Sequence, residues 1–171
     1  MRFYEYEAKE VLKKYSIPLP KNIFVQNSDS AFKAAQDFSA EVVIKSQVLS
    51  GGRMKAGGID FANSPEEVKI KSQKILELDI NGLLPIGVLI EEKKNITQEY
   101  FAAVTYDGRA KKPVIIFSDM GGIDIEEVAN SHPEHLSRTH FSAARPFSPF
   151  TAKNAVSAVG VTGRELNQLS T

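Results

Sequence analysis

Apolar side chains return at Ala8, Val11, Leu12 and Tyr15, the spacing of one helical face, and predict a helix over 5–16 that Pro18-Leu19-Pro20 stops. Ile23 to Val25 reads as a short strand. Asn27-Ser28-Asp29-Ser30 then supplies capping side chains for a second helix with Ala31, Phe32, Ala35 and Phe38 on its inner face. The β-branched run Val42-Val43-Ile44 predicts a buried strand that ends on Lys45. A further strand is expected around Ile59 to Phe61. Ser64-Pro65-Glu66-Glu67 follows with a cap, a first-turn proline and a glutamate three residues past the cap, and opens a helix that runs to about Leu78.

Asn81-Gly82 and Pro85 mark a loop, and Ile86 to Glu92 predicts a strand ending in two carboxylates. From Gln98 to Tyr106, Glu99, Phe101 and Ala103 alternate with Tyr100, Ala102 and Val104, the period of a strand with two unlike faces. Asp107-Gly108 begins a turn, and Val114 to Phe117 is the returning strand of a hairpin. Gly121-Gly122 leads into a short helix over Ile123 to Val128, and the tail from Pro146 offers Thr151 and Thr162 as helix starts. This mixture of elements predicts an α+β protein.

One stretch, Val42 to Ile59, joins a strand-like run to glycines and closely spaced cations. Gly51 and Gly52 let backbone amides approach an anion, while Lys45, Arg53 and Lys55 supply charge. The pattern suits a polyphosphate, although such a loop also serves as a solvated turn. It has the spacing of neither a Walker A loop nor the GxGxxG dinucleotide fingerprint. Glu91 and Glu99 could accept hydrogen bonds from a ribose or purine, but on the residues alone they read first as surface carboxylates paired with Lys93 and Lys94.

Composition narrows the chemistry. The 171 residues carry 21 basic and 21 acidic side chains, so no global field draws nucleic acid or an anionic membrane, and an anion site must be local. Absence of cysteine removes disulfides, thiolate metal sites and cysteine nucleophiles. The start enters an amphipathic pattern without an apolar signal core, and no run is long enough to span a bilayer, which makes an intracellular, cytoplasmic protein the default. His132, His135 and His140 lack metal-ligand spacing and read as surface or helix-end residues. No GxSxG nucleophile elbow is present.

YEYEAKEVLKKYSIPLP, VVIKSQVLSGGRMKAGGI, LIEEKKNITQEYFAAV and GGIDIEEVA, in this order, resemble the N-terminal part of succinyl-CoA synthetase β subunits. These are members of the ATP-grasp superfamily, and the resemblance extends to ligases that use malate, citrate or acetate. It implies an ATP-grasp α+β fold that binds ADP or ATP between two lobes, with 20–95 as the first lobe and 1–19 plus 96–171 as part of the second. By the same resemblance, Lys45 contacts nucleotide phosphate, and Gly52, Arg53 and Met54 form the loop over the phosphates, with Met54 standing where the family's GRG motif has glycine. Glu91 matches the carboxylate at the purine end, Lys94 a neighbouring contact, and Glu99 the glutamate that reaches the ribose region. Gly121-Gly122 matches a turn near the transfer site.

The implied chemistry is phosphoryl transfer between nucleotide, a histidine of an α-type partner subunit and a carboxylate that goes on to a CoA thioester. None of the residues here is assigned a catalytic role, and the family's two Mg2+ ligands lie further along the β subunit. The chain is therefore expected to stop inside the ATP-grasp domain, to bind nucleotide weakly, to be inactive alone and to tend to self-associate. A matrix location is expected in a eukaryote. A non-catalytic ATP-grasp interaction module is the alternative.

Overall fold

The computed structural model describes residues 2–171, which divide into one unit up to Asn95 and a second from Ile96. In the first, β1 (Asn22–Val25), β2 (Val42–Ser46), β3 (Ile59–Ala62) and β4 (Val88–Glu92) form an antiparallel sheet in the order β1-β4-β2-β3. Side chains alternate across it. On one face Val42 and Ile44 of β2 join Val88 and Ile90 of β4, all buried, beneath α2 (Ser28–Ala35) and α3 (Pro65–Leu76). Ala31, Ala35, Val68 and Ile75 supply the helical side of this core. Lys45 and Glu91 lie one step out of phase with Ile44 and Ile90, which places them on the other face of the sheet.

The helix starts follow their capping chemistry. Asn27 accepts a hydrogen bond from the Ser30 backbone N–H at 2.8 Å, and Ser64 from that of Glu67 at 3.2 Å. The Glu67 carboxylate reaches back to the N–H of Asn63 at 3.0 Å, one residue further than an ordinary capping box.

The first helix, α1 (Glu5–Lys14), forms where the periodicity places it, but the expected apolar face is not covered: Val11, Leu12 and Tyr15 are exposed, and none of the described α1 residues is buried. Its attachment is polar and aromatic. Tyr6 stacks on Phe24 of β1 with ring centroids 3.9 Å apart, and the Tyr6 N–H donates to Gln47 Oε1 at 3.1 Å. These contacts lie inside the first unit.

In the second unit β5 (Phe101–Asp107), β6 (Lys112–Ser118) and β7 (Leu136–His140) form an antiparallel sheet in that order. α4 (Ile125–Ser131) and a 3-10 turn at Pro133–His135 lead into β7. α5 (Pro149–Ser157) then packs Val156 against Phe117, together with Val161, and the Ser137 hydroxyl of β7 donates to the Ala155 carbonyl at 2.6 Å. α5 is capped by Ser148, not Thr151, whereas α6 (Gly163–Leu169) does follow Thr162.

Candidate functional site

Register and loop geometry bring three of the expected site residues together. Val43 of β2 pairs with Glu91 of β4, so Lys45 lies diagonally across from Glu91 on the same face. The Lys45 ammonium donates to Glu91 Oε1 at 2.7 Å. After β2 the chain turns through Gly51 to Gly58 and returns as β3. Gly52 has φ +74°, a left-handed conformation that glycine takes without steric cost. The turn closes with hydrogen bonds from Ala56 N–H to the Gly52 carbonyl (3.0 Å) and from Gly58 N–H to that of Arg53 (2.7 Å), while Ser46 N–H donates to the Gly58 carbonyl (2.7 Å). A Cβ on Gly58 would sit 2.5 Å from Ser46 Oγ and 2.7 Å from Ile80 Cδ1, so the loop lies flush against the strand end. Arg53 Nη1 donates back to the Ser46 carbonyl at 2.9 Å, which fixes the guanidinium beside Lys45.

Glu5 of α1 completes the cluster. Its Oε1 accepts from Lys45 at 3.0 Å and its Oε2 from Arg53 Nη2 at 2.9 Å, and Lys9 bonds Glu91 and lies 3.5 Å from Glu5. Burial alone would raise the Glu5 pKa, but the charge and hydrogen bond of Lys45, with Arg53 and Lys9, outweigh it and hold the carboxyl below its ordinary value of 4.5. For Lys45 burial acts downward, and the hydrogen bonds and charges of Glu91 and Glu5 overcome it to leave the ammonium above its ordinary 10.5. Three cations and two carboxylates thus share one partly buried face.

The remaining expected residues lie elsewhere. Met54 follows Arg53 but is 71% exposed. Lys94 pairs with Glu92 at 2.6 Å and lines a shallow cleft of about 300 Å³ with Glu41, Lys93 and Asn95. Glu99 belongs to the second unit, where its carbonyl accepts from Gly121 N–H at 3.0 Å and its carboxylate lies against Gly122; a Cβ there would be 2.5 Å from Oε2. With Thr97, Gln98, Asp119 and Gly121 it lines an open cleft of about 330 Å³. Of the histidines, His135 Nδ1 is 2.8 Å from Asp119 Oδ1 and His140 Nε2 is 2.8 Å from Asp107 Oδ2.

Sequence reasoning passed over Glu5 and Lys9. Their separation of four on α1, in the Glu-before-Lys order that favours pairing, was the available signal. Among the described residues no group of three or more His, Asp or Glu side chains could hold a metal ion, and no helix is long and apolar enough to cross a membrane.

The two antiparallel sheets with their packed helices, and a glycine loop carrying a cation beside a strand-end lysine, belong to an α+β architecture, and the ATP-grasp domain family matches residues 2–171. The chain belongs to the ATP-grasp domain family. It is similar to the β subunit of ADP-forming succinate–CoA ligase from Methanocaldococcus jannaschii, 41% identical over 170 residues covering 99% of this chain and 46% of the relative. The GDP-forming β subunit of Thermus thermophilus is 39% identical over 99% of this chain and 45% of its own length. The chain therefore spans somewhat under half of the curated relatives it matches. Among solved structures, acetyl-coenzyme A synthetase 1 of Ca. Korarchaeum cryptofilum, in complex with coenzyme A, Ca-AMPCP and HgCl+, has a similar fold (TM-score 0.71, 20% identity, 98% of this chain and 75% of that one). ATP citrate lyase of Methanothrix soehngenii, in complex with citrate and coenzyme A, also shares the fold (TM-score 0.69, 18% identity, 99% of this chain and 41% of that one).

Proposed function

We propose that this chain is the nucleotide-binding part of an ADP-forming carboxylate–CoA ligase of the succinyl-CoA synthetase type. The observation that carries the proposal is the pairing of Lys45 and Arg53 at the end of β2, held in place by a loop that folds back on Ser46. Two adjacent cations with glycine amides around them suit the β- and γ-phosphates of ATP, whose transfer depends on positioning and charge neutralisation. Gly52 and Met54 flank Arg53 over the phosphates. Glu91, Lys94 and Glu99 are assigned to the purine and ribose through the family resemblance.

In this proposal phosphate passes from ATP to a histidine of an α-type partner subunit and then to a carboxylate, whose acyl phosphate reacts with CoA. Mg2+ accompanies the nucleotide, with its protein ligands outside these residues. The β subunits of succinate–CoA ligases over 99% of this chain's length support the acid-thiol ligase assignment, with succinate as the proposed acid and the tricarboxylic acid cycle as the setting. A cytoplasmic or, in a eukaryote, mitochondrial-matrix location goes with that setting. Calorimetric titration with ADP and with ATP plus Mg2+ tests the nucleotide site. Saturable binding that is lost in Lys45→Ala is expected; equal affinity in that variant, shown to be folded, would refute it.

A further inference from the structure

The two cations assigned to phosphate are already engaged by a carboxylate of the same chain. Glu5 spends one oxygen on Lys45 and the other on Arg53, at 3.0 and 2.9 Å, the geometry in which two oxygens of one phosphate group would bind. Lys45 directs a further N–H to Glu91, and Arg53 its other terminal nitrogen to the Ser46 carbonyl. A phosphate within hydrogen-bond reach of both cations would come against the Glu5 carboxylate, two like charges in a partly desolvated space.

The element that carries Glu5 is lightly held. None of the described α1 residues is buried, and Val11, Leu12 and Tyr15 face solvent. Its attachments are the Tyr6–Phe24 stack, the Tyr6 N–H bond to Gln47, and the ion pairs of Glu5 and Lys9. An element fixed by few apolar contacts opens at low free energy, and removal of Glu5 from its cations withdraws a large part of what fixes this one.

We infer that Glu5 is an internal counter-anion, standing in the phosphate position of the Lys45–Arg53 site, and that a nucleoside polyphosphate binds by displacing it and loosening the start of α1. The inference rests on the proposed nucleotide function and adds a competitor within the chain. It also gives the ion cluster a purpose in the unliganded protein: Lys45 and Arg53 stay oriented and partly neutralised until a more highly charged anion takes them.

The test is calorimetric titration of the 171-residue chain and its Glu5→Gln and Lys45→Ala variants with ADP and with inorganic tripolyphosphate, together with amide hydrogen exchange over residues 5–14. Glu5→Gln is expected to bind both anions about tenfold more tightly, the size of one modest charge contact removed from competition. Lys45→Ala is expected to lose binding, and ADP should speed exchange in α1 of the wild type. Unchanged or weaker binding by Glu5→Gln, with Lys45→Ala still impaired, would overturn the counter-anion while leaving the phosphate site standing. Wild-type affinity in Lys45→Ala, or no binding by either the wild type or Glu5→Gln, would overturn both. Should Glu5→Gln not fold, the exchange measurement decides, since unchanged or slower exchange of α1 on binding contradicts displacement.

Discussion

The two faces of the four-stranded sheet are built for different purposes. Beneath α2 and α3, Val42, Ile44, Val88 and Ile90 are closed off by Ala31, Ala35, Val68 and Ile75, a dry surface that fixes the fold. On the opposite face the same two strands present Lys45 and Glu91, and the covering helix α1 meets them with Glu5 and Lys9 and one aromatic stack. In the proposed reading this alternation of side chains puts binding on the face of Lys45 and Glu91, where Leu89 is also buried, and most of the core on the other. Changes on the first face should alter how much folded protein there is, and changes on the second what the folded protein holds.

The largest effect is expected on the dry face. Ile90→Ala should lower unfolding free energy by about 2–5 kcal/mol, read by urea denaturation, because the cavity lies in a core that α2 and α3 cannot fully close. A loss below about 1 kcal/mol would mean that this face carries less of the fold than its burial implies.

Gly58→Ala comes next. The new Cβ meets Ser46 Oγ and Ile80 Cδ1 far inside contact distance, and since both side chains are fully buried, they or the loop must shift at a cost of about 1–3 kcal/mol. Because Arg53 is anchored through the same loop, nucleotide affinity should fall with it. Retained stability and affinity would show that the close fit does not position the site.

On the charged face, Tyr6→Ala should leave global unfolding nearly unchanged while hydrogen exchange in α1 quickens by about tenfold, in keeping with loss of an aromatic pair worth about 1 kcal/mol. Acid should act similarly. Glu5 is held below 4.5 in the folded chain, so its contribution is complete above that pH and is lost as pH falls through the folded value. Lys45 is raised above 10.5, so its contribution is present below that pH and is lost as pH rises through its folded value. Protection of α1 amides, taken relative to their intrinsic exchange rate at each pH, should therefore be greatest between these limits, and Glu5→Gln should remove the acid limb. Leu12→Ser, on the exposed side of α1, is expected to stay within about 0.5 kcal/mol of wild type in the same denaturation assay.

Local chemistry made much of this readable from the sequence. The strand that delivers Lys45, the glycine turn that returns Arg53, and the capping of α2 by Asn27 and of α3 by Ser64 depend on neighbouring residues, and each is present. What escaped depends on distant ones. Leu136-Ser-Arg-Thr-His carries little alternating apolar signal, and β7 exists because β6 offers it a ladder from Val114 to Ser118. The apolar spacing of α1 names a face but not its partner, and Val11 and Leu12 remain exposed because the contacts of α1 are made by Glu5, Tyr6 and Lys9. The spacing of Glu5 and Lys9 marks a helical pair but not a site, because the other partners of Glu5 are 40 and 48 positions away in the chain.

The most direct test of the central claim, that Lys45 and Arg53 form a polyphosphate site, is to map ADP onto the chain by amide and side-chain NMR. The largest shifts are predicted at Lys45, Gly52 and Arg53, with a second set at Glu5 as it leaves them. Shifts confined to the cleft lined by Thr97, Asp119 and Gly121, with Lys45 and Arg53 silent, would contradict it.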